Sequence, residues 1–358
     1  MRPRDIDSAK AAGRALVRRA EVAVRRRPST TVPALRVAAE PSAAPSVWVI
    51  TPDWNRASGG VRKLYRAVDV LNAAGVPAAV VHQRPGFSCT WFEHETRIVP
   101  APRVTVGPRD VIVVPEIYWP SIRRLPSGIR QVIYNQNAYL TLEALAEGGR
   151  AAAAPYVDNP DLAAIAVVSD ENAELLRYAF PGVPVQRIRH GLDPALLHPP
   201  AQPPGRRIAY MPRRRADEAR QVIELLRLRG VLEGWEVISI ERRSEAEVAE
   251  LLRGSRIFLS FSEREGFGLP PCEALACGCL VVGFDGFAGR EFFRPPFATA
   301  VANGDVAAFA RAAEALVHWT EEDPAAAHAV AADGARFVRE HYSPEAERHD
   351  LVEVFAPR

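Results

Sequence analysis

Glu265 and Glu273 stand with seven residues between them in the run Ser262-Glu263-Arg264-Glu265-Gly266-Phe267-Gly268-Leu269-Pro270-Pro271-Cys272-Glu273-Ala274-Leu275-Ala276-Cys277-Gly278. Their spacing puts the first carboxylate on a glycine-containing turn and the second in the helix that follows. Each ionised carboxylate can accept hydrogen bonds from a pair of sugar hydroxyls, and the N–H groups of Gly268 and Leu269 at the helix start face the same space. Isolated glutamates are ordinarily solvated. Here the turn is flanked by the apolar runs RIFLSF (256–261) and CLVVGF (279–284), which argues that it is held between buried strands. A second group is Met211-Pro212-Arg213-Arg214-Arg215, after an apolar run and before a helical pattern. Guanidinium forks at the carboxyl end of a strand can bind a diphosphate through paired, charge-assisted hydrogen bonds; the alternative is a solvated loop or ion pairs with Asp217 and Glu218. A third is Ser58-Gly59-Gly60, where glycines let a phosphate approach the backbone and a helix start supplies N–H donors, although such a pair is more often only a tight turn.

Other phosphate and metal signatures are missing. There is no G-x-G-x-x-G after the first strand and no G-x-x-x-x-G-K-[ST] anywhere. The only D-x-D, Asp5-Ile6-Asp7, lies in an N-terminal arm. Cys272, Cys277 and Cys279 are spaced within a helix and the next strand rather than as a zinc set, and the histidines form no H-x-x-x-H pattern, so no metal is expected.

The elements that must position these groups are legible as alternating runs. VWVIT (47–51), PAAVVH (77–82), DVIVVP (110–115), QVIY (131–134) and LAAIAVV (162–168) alternate with helical patterns at 60–73, 139–147 and 170–179. After the proline-rich HPPAQPP (198–204) the rhythm restarts: RRIAYM (206–211), helix 215–228, WEVISI (235–240), helix 244–253, then the strands flanking the glutamate turn and its helix 269–276. Such alternation predicts parallel βαβ units, and proline clusters mark the seam. The expected fold is α/β: two doubly wound, Rossmann-like lobes whose strand ends face each other across a cleft. Residues 304–355 read as helical, with Ser343-Pro344-Glu345 capping the last helix. The expected divisions are an arm at 1–44, an N-terminal acceptor lobe at 45–190, a C-terminal donor lobe at 191–342 and a closing helix at 343–358.

Composition sets limits on partners. With 45 basic against 43 acidic residues the net charge is +2, which argues against nucleic acid as a partner of the whole chain. Four cysteines without a disulfide framework fit a reducing cytoplasm. No apolar run approaches the roughly eighteen residues of a membrane span, and the N-terminus lacks the apolar segment of a signal peptide. The arm is arginine-rich, and Ile6, Ala9, Leu16, Ala20 and Val24 recur at roughly helical spacing. It could rest on an anionic membrane surface at the inner face of the membrane, dock on its own protein, or stay disordered. High Ala, Arg and Pro content fits a bacterium of high-GC genome.

EGFGLPPCEALACGCLVVG resembles the E-x7-E signature of retaining GT-B glycosyltransferases, family 4 in particular, with Glu265 and Glu273 on the two signature glutamates. Further matches keep their order: Gly59-Gly60 resembles the N-lobe glycine loop, His190-Gly191-Leu192-Asp193 the lobe-junction N-G-[VI]-D, and Gly289-Arg290-Glu291 the segment after the E-x7-E helix. The likeness covers about residues 46–357. It implies that Glu265 contacts donor-sugar hydroxyls beside the backbone of Gly266, Phe267, Gly268 and Leu269, that Glu273 binds the ribose, and that Arg213 holds the diphosphate. Family members usually have a lysine where this chain has Glu218, so Arg214 is expected to supply the second positive charge. Within Tyr134-Asn135-Gln136-Asn137, Gln136 falls where many relatives carry a histidine near the reacting centre, and with Asn137 it is an expected substrate contact; Gln136 cannot act as a base. The closing helix is expected to brace the N-lobe, as in the family.

The resulting expectation is an enzyme that transfers a sugar from a nucleotide-sugar donor to a carbohydrate, lipid-linked or small-molecule acceptor, with retention of configuration and without a metal or other cofactor. Surface polysaccharide or glycosylated metabolites are the expected products. Fixed cations and helix dipoles in a dry cleft would stabilise the departing diphosphate, the acceptor would attack from the face the leaving group vacates, and the diphosphate would take its proton. A glycan phosphorylase is excluded, since its pyridoxal phosphate needs a C-lobe lysine and the only lysines are Lys10 and Lys63. A nucleotide-sugar 2-epimerase and a non-catalytic sugar-nucleotide-binding or scaffold protein are the rival readings.

Overall fold

The computed structural model describes residues 31–38, 40 and 44–357. The predicted arm helix and Asp5-Ile6-Asp7 lie outside the described residues. Among those described, seven parallel strands form the first sheet, in the spatial order β4 (Ile98–Pro100), β3 (Ala78–His82), β2 (Val47–Ile50), β6 (Val111–Pro115), β7 (Arg130–Asn135), β8 (Leu162–Val167) and β9 (Val185–Arg187). A short parallel pair, β1 (Arg36–Val37) and β5 (Thr105–Val106), lies apart from it. The second sheet has five parallel strands, in the order β11 (Glu236–Ser239), β10 (Arg207–Tyr210), β12 (Ile257–Ser262), β13 (Leu280–Asp285) and β14 (Ala298–Val301). The helices in chain order are α1 (Gly59–Ala73), α2 (Ala138–Gly148), α3 (Arg150–Val157), α4 (Asp170–Ala179), α5 (Ala216–Leu228), α6 (Glu245–Arg253), α7 (Leu269–Ala276), α8 (Val306–Glu322), α9 (Pro324–His341) and α10 (Pro344–Phe355).

Central strands such as Val111–Pro115 are buried at every residue, because helices cover both faces of a parallel sheet. Strand order reverses at β2 and β6 in the first sheet and at β10 and β12 in the second, so each lobe opens a crevice beyond the carboxyl ends of those strands. The two doubly wound lobes are those read from the alternation. Serine caps set several helix starts: Ser58 accepts from the Val61 N–H, Ser169 from Asn172, and Ser244 forms a reciprocal capping box with Glu247. The predicted cap at Ser343 is present, its hydroxyl accepting from the Ala346 N–H at 3.1 Å.

Helix α10 leaves the second lobe and docks on the first. Glu347 accepts from Lys63 Nζ at 3.3 Å and Arg66 Nε at 2.5 Å, and Asp350 accepts from both Arg189 Nε and Nη2 at 2.8 and 2.7 Å. Arg130 donates to the carbonyls of Val354 and Ala356, while Phe355 packs edge-on against Tyr134. Among the described residues no helix is long and apolar enough to cross a membrane.

Candidate functional site

In the second lobe, β12 delivers the chain into the loop 263–268, where Arg264 has φ +43° and Gly268, the residue before α7, has φ +90°. The left-handed turn at Gly268 lets α7 start at once with Leu269-Pro270-Pro271. Glu265 is fixed at both ends: its N–H donates to the Gly286 carbonyl at 3.0 Å, and its Oε1 forms an ion pair with Arg214 Nε at 2.9 Å. Burial pushes its carboxyl pKa upward, Arg214 and Arg213 oppose that, and Glu263 adds to it. Glu273, on α7, has a side chain only 14% exposed. Burial raises its pKa too, against the pull of Arg62.

The three arginines after β10 have separate fates. Arg213 is exposed and, among the described residues, makes no ion pair. Arg214 holds Glu265. Arg215 is drawn inward, with Nη1 on Glu218 Oε1 at 2.9 Å and its guanidinium 5.0 Å from the centre of the Phe284 ring. Glu218, in the position of the family lysine, therefore neutralises Arg215.

In the first lobe, Ser58 caps α1 and presents Gly59 and Gly60. A Cβ on Gly59 would lie 3.5 Å from Leu269 Cδ1 of the opposite lobe, and one on Gly60 would lie 2.8 Å from Gln136 Oε1. The Gln136 N–H donates to Glu116 Oε2 at 3.1 Å, a carboxylate buried at the end of β6. Asn137 caps α2 through Oδ1 and reaches across the cleft with Nδ2, which donates to the Arg264 carbonyl at 3.1 Å. Gly266 meets the backbone of Gln136 and Asn137 so closely that any Cβ would overlap it. The structure thus brings Gly59, Gly60, Gln136 and Asn137 against the turn 264–269, with Glu265 and Arg214 beside it. The Phe267 side chain turns away from this contact. It is buried against His190, Tyr342 and Phe292, at ring-centre distances of 5.2, 5.1 and 5.5 Å.

Two positions at this contact between the lobes escaped the sequence reading. Arg62, in the first turn of α1, pairs with Glu245 and lies 3.7 Å from Glu273 Oε1, so a first-lobe cation faces a second-lobe carboxylate. The basic residue just after the Gly-Gly pair was the available signal. Glu116 had only its place after a buried strand to mark it. Glu291, noticed as part of a motif, is a junction between lobes: it accepts from Arg187 Nη2 at 2.5 Å, the Asp170 N–H at 3.1 Å and the Tyr342 hydroxyl at 2.8 Å. Nearby, Arg290 pairs with Glu171 at 3.2 Å. The loops beyond β2 and β3 are tied by Asp53, which accepts from His82 Nδ1 at 2.9 Å and from Arg84, while His82 Nε2 lies 2.6 Å from the Tyr65 hydroxyl.

Two facing doubly wound lobes, a terminal helix returning to the first lobe and a Glu-bearing turn closing on a glycine loop define a GT-B fold. Residues 229–330 match the family described as glycosyl transferases group 1, and the match includes Glu265 and Glu273. An alpha-1,6-glucosyltransferase of Actinobacillus pleuropneumoniae serotype 7 is 44% identical over 50 residues, 14% of this chain and 15% of its own. The chain aligns with only 15% and 11% of the lengths of the curated relatives it matches. Among solved structures, HepE of Anabaena in complex with UDP and glucose superposes with a TM-score of 0.64 at 11% identity, covering 86% of this chain and 98% of that one. Sucrose-phosphate synthase of Thermosynechococcus elongatus gives 0.62 at 15% identity over 87% and 98%. These structural likenesses concern the fold.

Proposed function

We propose that the chain is a retaining glycosyltransferase that takes its sugar from a nucleoside diphosphate donor held between the lobes. The observation that carries this reading is the apposition of the turn 264–269 to the glycine loop and Gln136, inside a segment matching the group 1 family. Glu273 receives the ribose hydroxyls. Glu265, oriented by Arg214, receives hydroxyls of the donor sugar. Arg213, Arg214 and the N-terminus of α1 face the diphosphate and stabilise the charge that develops as the glycosyl bond breaks. Gln136 and Asn137 touch the substrate from the first lobe. Since Gln136 cannot take a proton, the departing diphosphate accepts it from the acceptor hydroxyl on the same face. The reading of metal independence rests on the lack of a D-x-D outside the arm.

HepE was solved with UDP and with UDP-glucose, which makes UDP the nucleotide to test first. The experiment is calorimetric titration with UDP and UDP-sugars in the presence of a chelator, on the wild type and Glu273→Ala, followed by transfer to an acceptor panel with the anomeric proton read by NMR. The expected result is binding that Glu273→Ala weakens by about tenfold or more, as loss of charged hydrogen bonds to a ribose would, and a product of unchanged anomeric configuration. Inverted product overturns the mechanism. Nucleotide release without acceptor points to an epimerase, and binding without turnover to a scaffold. Failure to bind any nucleoside diphosphate removes the donor assignment.

A further inference from the structure

Arg62 belongs to the first lobe, yet the carboxylates it meets, Glu245 at the start of α6 and Glu273 on α7, belong to the second. The neighbouring cations are committed elsewhere. Lys63 Nζ donates to the Gly191 carbonyl at 3.1 Å and to Glu347 at 3.3 Å, and Arg66 Nε sits on Glu347. Arg62 is thus the cation that crosses the cleft to the face of Glu273. We propose that Arg62 is a positioning residue for Glu273, completing the carboxylate that grips the nucleotide only when the first lobe has closed on the second. The proposal rests on the reading of Glu273 as the ribose ligand.

The physical reason is that a carboxylate accepts from two hydroxyls only while ionised. Glu273 is buried in a helix and faces Glu245, and both facts favour its protonated form. Opposing them from α1 are Arg62, foremost, and more weakly Lys63; Cys272 and Cys277, its companions on α7, are thiols held neutral by burial. Opening the lobes withdraws Arg62 and leaves Glu273 with the like charge of Glu245. Closure restores the acceptor, so the grip on ribose and the sealing of the cleft become one event.

Two variants separate this from a simple clamp. Arg62→Gln should weaken UDP binding by about tenfold near neutral pH, and the low-pH limb over which affinity is lost should move to higher pH; Arg62→Lys should largely restore both. Glu245→Gln removes the like charge and leaves Arg62 to Glu273, so affinity should hold or rise and the limb should move to lower pH. If Arg62 merely ties the lobes through Glu245, Glu245→Gln will weaken binding as Arg62→Gln does and the limb will stay put, which overturns the proposal. A carbon-13 titration of the Glu273 carboxyl, assigned by its loss in Glu273→Gln, needs no nucleotide. An unchanged titration in Arg62→Gln sinks the proposal even if UDP binds. A raised titration alongside a wild type that ignores UDP would instead sink the ribose assignment.

Discussion

Gly266→Ala is the substitution for which the structure gives the sharpest expectation. Gly266 is not among the residues of positive φ, so an alanine meets no backbone strain of its own. What it meets is the other lobe: a Cβ would overlap the Gln136 carbonyl oxygen, lie 2.8 Å from the Gln136 carbonyl carbon and 3.2 Å from Asn137 Cα. Carbon contacts are comfortable at about 3.5–4.0 Å, so relief requires the turn and the Gln136 loop to part by on the order of 1–2 Å. Neither lobe's core is touched. The interactions at risk are cross-cleft ones, such as Asn137 Nδ2 to the Arg264 carbonyl at 3.1 Å, each worth about 1 kcal/mol, so the melting temperature should drop by only about 2–4 °C. Catalysis is far more sensitive, since a misplacement of about 1 Å can reduce the rate on the order of a hundredfold. The expected outcome is a kcat loss of that size, a change of a few-fold in UDP affinity, and a near-normal melting curve. Gly60→Ala is the comparison: its Cβ meets only the tip of the Gln136 side chain at 2.8 Å, which can swing aside without parting the lobes, so its kcat loss should be smaller than that of Gly266→Ala. A Gly266→Ala enzyme with kcat within about threefold of wild type would refute the closed geometry as the reacting one.

Other outcomes follow from buried charge. Glu347→Gln leaves Lys63 without its buried partner, the two side chains being 4% and 6% exposed, and should destabilise the protein by about 3 kcal/mol in urea denaturation; a loss under about 1 kcal/mol would mean that α10 contributes little at this point. His190 is buried, its Nδ1 has no partner, and burial with Lys63 and Arg187 nearby holds its pKa well below the ordinary 6.5. The unfolded chain takes up that proton first as pH falls below 6.5, so its contribution is complete above that value and is lost on acidification by up to about 1.4 kcal/mol per pH unit. The raised carboxyl pKa values of Glu265, Glu273 and Glu291 slope the other way, so the test is the difference from His190→Asn, in which they cancel. The wild type should lose ground against that variant between neutral pH and pH about 5, and a flat difference would contradict the assignment. Arg214→Ala frees Glu265 from its partner at 2.9 Å and removes a cation from the diphosphate; kcat/KM should fall on the order of a hundredfold, by more than UDP affinity does, whereas a loss confined to UDP binding would assign Arg214 to the diphosphate alone.

The alternation of elements was legible because strands buried on both faces are written as unbroken apolar runs; VIVVP needs no periodicity to be recognised. The strands that went unread, β1, β4, β5, β9 and β14, are all short; β4, β9 and β14 are only partly buried and carry Pro100, Gln186 or Thr299 where a central strand would carry valine. Helix α3 was hidden by Gly148-Gly149 before it and Pro155 within it. The turn with Glu265 and Glu273 could be read because strand, turn and helix follow each other in the chain. Arg62, Glu116 and the junction role of Glu291 could not, since each is defined by a partner on another element, and no local pattern records which carboxylate an arginine will face. The direction of Phe267 was equally silent: a loop has no period from which to infer a buried side.

The arginine run carries the remaining lesson. Asp217 and Glu218 stand in the first turn of α5, where the helix dipole favours acids and disfavours a lysine. With Glu218 there, Arg215 is neutralised, and Arg214 is shared with Glu265. On the proposed reading, of the three arginines in this run only Arg213 is left without a carboxylate partner among the described residues, where the resemblance leads one to expect two cations. The balance of positive potential at the diphosphate must then come from the first lobe, through the N-terminus of α1. That contribution exists only when the glycine loop lies against Leu269. A transferase built this way depends on closure for its electrostatics as well as for its geometry, which is why a single methyl group at Gly266 should be felt mainly in kcat.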